Sequence, residues 1–287
     1  INRRGKLKWS LSDPTGATVS AGPNVGPDGN IYAVSEDSGA AGGIGEMVIS
    51  PAGQLLSNKP GYTSARGQAL RTREIVFGAN QFHFDMNNVL DNQNGLQFFE
   101  LGGKFLFAVS AGGRDEQPDT DAAGNVYSNI ARNQLGVFDL SGNLLRSRFF
   151  GDNTTELTAP DVTSEGRIYT GENFPTKVLG LKANLNTRWS VPNDIGTLNG
   201  AVVDPSNSVV VAGVSGIGVP GAVQAINAGT GRLLWQVNLP TENGWFVQPI
   251  SRPRFSPDGA AAYVGMSANE SNDNPYCYLY AFNTKKH

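Results

Sequence analysis

The chain has 287 residues, 25 acidic and 22 basic side chains, a net charge of −3, and 16% charged residues beside 36 glycines. An apolar share of 39% excludes a disordered chain. No Lys/Arg tract beyond Arg3-Arg4 and Lys285-Lys286 offers a nucleic-acid face, and no apolar run has the length of a membrane span.

In chain order, "GKLKW" (5–9) reads as a lone outer strand. "GPDGNIYAVS" (26–35) is a tight turn feeding a strand, followed by the alternating run "GEMVIS" (45–50) and the short third run "GQLLS" (53–57). A degenerate copy of the turn sits at Arg71-Thr72-Arg73 before "EIVF" (74–77), with "GLQFFEL" (95–101) and "GKFLF" (103–107) behind it. Further copies of the turn lie at Ala123-Gly124, Glu165-Gly166, Ser206-Asn207 and Asp258-Gly259. Their second runs are "LGVFDL" (135–140), "KVLGLK" (177–182), "AVQAIN" (222–227) and "YLYAFN" (278–283). The period of roughly 40 to 50 residues is that of propeller blades.

With a short extended segment before each turn, the pattern predicts an all-β fold: a single β-propeller over 1–287 with about six four-stranded blades. The last unit lacks its outer strand, and the chain opens with one. Strand 5–11 is therefore expected to complete the last blade by pairing with 278–284, closing the ring and protecting its edges. Trp9, Trp189 and Trp235, with Phe107, hold one repeated position and are expected to wedge between blades. Cys277 is alone, so no internal disulfide forms, and a small buried hydrophobe is expected there.

"VQAINAGTGRLLWQV" and "YLYAFNTKK" resemble the pyrroloquinoline-quinone-like β-propeller repeat. Ala225, Asn227, Thr230, Gly231 and Trp235 match its Ala-x-(Asp/Asn)-x-x-Thr-Gly-x-x-x-Trp run, and Ala281, Asn283 and Thr284 match its front half. The resemblance implies the propeller architecture. Its quinoprotein dehydrogenase branch holds the cofactor over Ca²⁺ and typically has eight blades, often with an adjacent-Cys disulfide; one Cys and about half that length do not carry quinone binding over. The chain is more similar to the non-enzymatic members, such as the outer-membrane assembly lipoprotein propeller, which serve as platforms for protein contacts.

The turns between first and second and between third and fourth strands are short and uniform. The links from second to third strand and between blades are long and diverse, among them "QFHFDMNNVLDNQN" (81–94), "ENFPT" (172–176) and "LPTENGWFVQP" (239–249). That face is the expected contact surface. On it, Arg66, Arg71 and Arg73 with His83 and Asp85 could hold an anionic group, or make separate surface and inter-blade contacts. Asp115, Glu116 and Asp119, with Asp121 beside the turn, supply oxygen for Ca²⁺ but lack EF-hand spacing, and equally fit a solvated acidic loop. Trp245 and Phe246 could stack on a sugar or a partner, or pack across a blade junction.

No catalytic residues are assigned. Two His residues leave His83 as the one base for a Ser-His-Asp site, and no nucleophile elbow, zinc motif or phosphate loop occurs. The expected function is a binding or scaffolding module with a protein or carbohydrate partner and no cofactor, Ca²⁺ being the one ion the loops could take. The alternative is a six-bladed lactonase or quinoprotein sugar-dehydrogenase-like enzyme with Ca²⁺ or quinone in the channel. Ile1 is not an initiator Met, so the chain reads as a processed or excised piece. Its low Cys and high Asn, Ser and Gly fit a periplasmic or secreted protein.

Overall fold

A computed structural model describes residues 6–12, 18–36, 43–63, 70–72, 76–78, 81–88, 95–101, 105–110, 117–216, 218–242, 244–268 and 276–284. Their regular structure is strand throughout. The chain divides into two compact units, residues 1–131 with 136–145, and residues 132–135 with 146–287.

In the first unit, β1 (Thr18–Val25), β2 (Ile31–Glu36), β3 (Gly43–Ile49) and β4 (Leu55–Thr63) form one antiparallel sheet in sequential order. A second sheet joins β5 (Leu70–Thr72), β7 (Gln81–Asn88), β8 (Gly95–Glu100) and β9 (Phe105–Ser110), with β6 (Val76–Gly78) also on β7. Strands β10 (Asp119–Thr120), β11 (Val126–Ala131), β12 (Gln134–Phe138) and β13 (Leu144–Phe149) form a third, again sequential, of which residues 134–135 and 146–149 are counted with the second unit.

The second unit opens with the sheet of β14 (Glu156–Leu157), β16 (Ile168–Asn173), β17 (Lys177–Leu181) and β18 (Thr187–Pro192), with β15 (Asp161–Val162) beside β14's place on β16. The sheet of β19 (Gly196–Val203), β20 (Val209–Gly216), β21 (Ala222–Asn227) and β22 (Leu233–Asn238) follows. Last come β23 (Thr241–Glu242), β24 (Trp245–Pro249), β25 (Arg254–Phe255), β26 (Ala261–Ala268) and β27 (Tyr276–Asn283), with β24, β25 and β27 all pairing with β26.

The repeated turn is real and repeats at the level of single hydrogen bonds. The amides of Gly29, Gly124, Gly166, Asn207 and Gly259 donate to the carbonyls of Gly26, Asp121, Thr163, Asp204 and Ser256. All five donors have positive φ, between 58° and 84°, where glycine and asparagine carry the least steric cost. Asp28 does turn chemistry as its sequence context suggests: its carboxylate accepts from Asn30 and the Tyr32 hydroxyl. Asp121 does the same for Ala123, Asn125 and Tyr127.

A second repeated turn, from third to fourth strand, places Gly53, Gly142, Leu185 and Gly231 at positive φ. Into it goes the recurrent aromatic of another sheet. Trp189 Nε1 donates to the Ala228 carbonyl at 3.0 Å, and a Cβ on Gly231 would stand 2.7 Å from its ring. Trp9 donates to Pro51 at 3.2 Å and lies over Gly53, and Phe107 lies over Gly142. One copy of the turn carries Leu185 instead of glycine. Arg146 and Arg148 of β13 reach it, donating to the Ala183 and Leu185 carbonyls at 2.8 Å and 2.6 Å. The aromatics are thus sheet-to-sheet wedges, as expected from their recurrence.

Between sheets the cores are apolar. Tyr169, Val178, Trp189, Leu198, Val210 and Ile226 make one, and Val211, Val223, Trp235, Val247, Val264 and Met266 the next. In the first unit, Leu96 and Phe98 meet Val126 and Phe138. Truncating one such large side chain to Ala costs about 3–5 kcal/mol.

Three local expectations are corrected. The second unit of the repeat has no turn at Arg71-Thr72: these residues lie in β5, and Val76–Gly78 is the strand that leads into β7. Residues 81–88 are a strand and not part of a long loop, because Phe82, Phe84 and Met86 alternate with polar residues at the strand period. Cys277 is exposed, since it stands on β27 at a position where every second side chain faces outward. Residues 6–12 are described without strand structure.

Candidate functional site

The second unit shows its link side in most detail. The β16–β17 link, Phe174 to Thr176, is tied down at both ends: Thr155 donates to the Phe174 carbonyl at 3.2 Å, and the Asn193 amide to the Thr176 carbonyl at 2.9 Å. Phe174 has a φ of 62° and remains 48% exposed. A bulky residue in that backbone region persists because its surroundings impose it. Beneath it Glu172, 2% exposed, pairs with Lys177 Nζ at 2.9 Å directly across the β16–β17 register. Asn173 is buried and exchanges side-chain bonds with the Leu198 backbone of β19.

The β20–β21 link is braced by Gln248 of β24. The Gly216 amide donates to its carbonyl oxygen at 2.6 Å, and its amide group donates to Val219 at 2.8 Å. Asn199 donates to Ser215 and to the Pro249 carbonyl. Val219, 44% exposed, and Phe246, 40% exposed, are left facing solvent from these braced segments.

The first strands carry a different chemistry. Arg252, just ahead of β25, places Nη2 at 2.7 Å from Asp161 Oδ1 on β15 and at 2.9 Å from the Pro160 carbonyl. Asp161 Oδ2 accepts the Val203 amide of β19 at 2.7 Å, and the arginine stem crosses Gly200, where a Cβ would stand 3.0 Å from it. One ion pair therefore ties the first strands of three sheets. Burial pushes the Asp161 carboxyl up, and the Arg252 charge and the Val203 amide pull it part of the way back.

Of the residues singled out in the sequence, Arg66, Arg73, Asp115 and Glu116 lie outside the described residues. Arg71 stands on β5 across from Asn87, and His83 and Asp85 stand on β7 at the fourth and second places before it, so the backbone register gathers these three in one sheet. Asp119 accepts the Thr120 amide at the start of β10, and Asp121 is committed to its turn. Among the described residues no group of three or more His, Cys, Asp or Glu side chains converges as a metal site would need.

Trp245 and Phe246 lie on β24, not in a loop, and part company there. Trp245 packs against the core shared by the last two sheets, as the blade-junction reading expects, while Phe246 faces out. The sequence did not point to Glu242 and Tyr280, yet the Tyr280 hydroxyl donates to Glu242 Oε1 at 3.0 Å. Burial pushes the Tyr280 phenol up, helped by the bond and the charge of Glu242. It also did not pair Asp161 with Arg252, although "SRPRF" put two charges in a first-strand position where apolar residues are the rule.

No protein-family model matches the chain, and no curated protein matches it in sequence. Among solved structures, virginiamycin B lyase from Staphylococcus aureus is similar, with a TM-score of 0.63 at 11% identity, covering 94% of this chain and 86% of that one. Identity so low carries the fold alone. The fold is a β-propeller. In a β-propeller the first strands surround a central channel and the links open on its faces. Asp161 and Arg252 belong to the first strands of their sheets, and Phe174 and Val219 to the links between strands.

Among the described residues no helix is long and apolar enough to cross a membrane.

Proposed function

We propose that the chain is a six-bladed β-propeller, closed by pairing of 5–11 with 278–284, that works outside the cytoplasm as a non-enzymatic binding or scaffolding module. Its link face makes the contact, and the partner is a protein or a carbohydrate. The observation that supports this reading is the set of half-exposed apolar side chains, Phe174 and Val219 on braced links and Phe246 on β24. A rigid backbone presenting apolar groups loses little entropy when a partner covers them. The first-strand carboxylate Asp161, by contrast, is occupied by Arg252 and the Val203 amide and has no oxygen left unbonded for acid–base work.

The test is binding to arrayed proteins and glycans by the wild type, by Phe174→Ser/Val219→Ser/Phe246→Ser, and by an outer-strand control, Leu144→Ser/Leu233→Ser. The link-face variant is expected to lose a partner that the control keeps. Loss in both, or in neither, overturns the assignment of the face. Elemental analysis and an absorption spectrum of the purified protein test the alternative of a lactonase-like or quinoprotein enzyme. Stoichiometric Ca²⁺ or a quinone chromophore decides for it.

A further inference from the structure

Strands β23 and β24 make a tight hairpin in which Glu242 stands directly across from Trp245. Cross-strand partners of this kind put their side chains on one face of the hairpin. The Tyr280 hydroxyl, from β27, fixes one oxygen of Glu242 at 3.0 Å, and Tyr278 stands edge-on to the Tyr280 ring with centroids 6.2 Å apart. Trp245, Tyr278 and Tyr280 are all half-buried against the same apolar core, so their rings are held rather than free to swing. Glu242 is itself half-buried, and among the described residues no Lys, Arg or His is in ion-pairing distance of it.

A half-buried carboxylate that has no countercharge among the described residues, bonded to one tyrosine and standing across from a tryptophan, is a site for a cation. Water already solvates a compact inorganic ion well, and one protein carboxylate competes poorly for it. A soft organic ammonium loses less hydration, and it gains from each ring face as well as from the carboxylate. A sugar would use the same rings but has no call on an unneutralised charge. The geometry points to an organic ammonium group as the ligand of Glu242, Trp245, Tyr278 and Tyr280. The site rests on the binding-module reading and names the chemistry of one contact, an alkylated amine on a partner.

Calorimetric titration of the full chain with choline chloride tests it, against dimethylbutanol, the neutral carbon isostere of choline. Choline is expected to saturate one site, and the isostere to bind about tenfold more weakly or worse. Glu242→Gln and Tyr280→Phe are each expected to weaken choline about tenfold while the melting temperature holds, because both keep the shape of the side chain. Equal binding of the isostere, unchanged affinity in Glu242→Gln, no saturable choline binding, or saturable cellobiose binding lost in Glu242→Gln would each overturn the proposal. Phe174 and Val219 lie outside this site, so loss of an arrayed partner in the link-face variant still stands if choline fails. Failure of both experiments removes the binding reading itself.

Discussion

Strands β21 and β27 are both third strands, and "AVQAIN" and "YLYAFN" are nearly the same pattern, yet they meet solvent in opposite ways. From Ala222 to Ile226 every side chain of β21 is buried. On β27 every second one is exposed, Leu279 to 74%. The cause is position and not composition. Strand β21 has β20 and β22 on its two sides, and Val223 and Ala225 pack on the core formed with the last sheet. Among the described residues β27 pairs with β26, and its Tyr278, Tyr280 and Phe282 face the same core from the other side, leaving Leu279 and Ala281 on the far face. A strand's burial is a property of what lies against it.

The sharpest way to break that comparison is to place a charge on each strand. Val223→Asp buries an unpaired carboxylate and is expected to cost about 4 kcal/mol or more, unfolding the second unit in mild denaturant. Ring closure as proposed would cover the far face of β27 as well, so Leu279→Asp should then cost a comparable amount, read by urea denaturation. A cost under about 0.5 kcal/mol, the usual value for an exposed site, would show β27 to be an open edge in solution and would sink the closure.

Much of this molecule is legible from one sequence because the repeat reports on itself. Five turns with Gly or Asn at the same place could be aligned by eye, and each has the same hydrogen bond and the same positive φ. The wedge aromatics were legible for the same reason. What a repeat hides is whatever differs between copies. His83 and Asp85 interrupt an apolar alternation and looked like loop residues, although Phe82, Phe84 and Met86 keep the strand period. Asp161 and Arg252 are 91 residues apart, and nothing in either copy announces a partner in another sheet. Glu242 and Tyr280 are likewise joined by the fold alone.

Next in size is the ion pair between Asp161 and Arg252, which belongs to first strands and not to the third strands just compared. Asp161→Ala leaves the Arg252 guanidinium buried without its carboxylate and the Val203 amide without an acceptor, and is expected to cost about 3–5 kcal/mol. Replacing both, Asp161→Ala with Arg252→Met, should recover at least half of that loss, because the remaining chain fills space without a charge. Denaturant midpoints of the single and double variants read the difference. If the double variant is as unstable as the sum of the singles, the two side chains act independently and the strut has no energetic meaning.

The smallest effect is a difference in pH dependence between two aspartates of the second unit. Burial raises Asp204, but the bonds from Ser206, Val209 and Ser208 outweigh it, so its carboxyl lies below the ordinary value of 3.8. A lowered folded value means that its stabilisation is complete above the unfolded value and is lost as pH falls through the folded one. Asp161 has the opposite sign: burial holds its carboxyl above 3.8, so the fold binds its proton more tightly than the unfolded chain does. Its contribution is then greatest below the unfolded value and declines as pH rises through the raised folded one. Asp204→Asn should therefore flatten the stability profile on the acid side of that reference, and Asp161→Asn on the side above it. Urea midpoints measured from about pH 3 to pH 7 distinguish them. Matching profiles for the two variants would mean that the Arg252 charge, and not burial, governs Asp161, which would make the ion pair electrostatically equivalent to a surface turn.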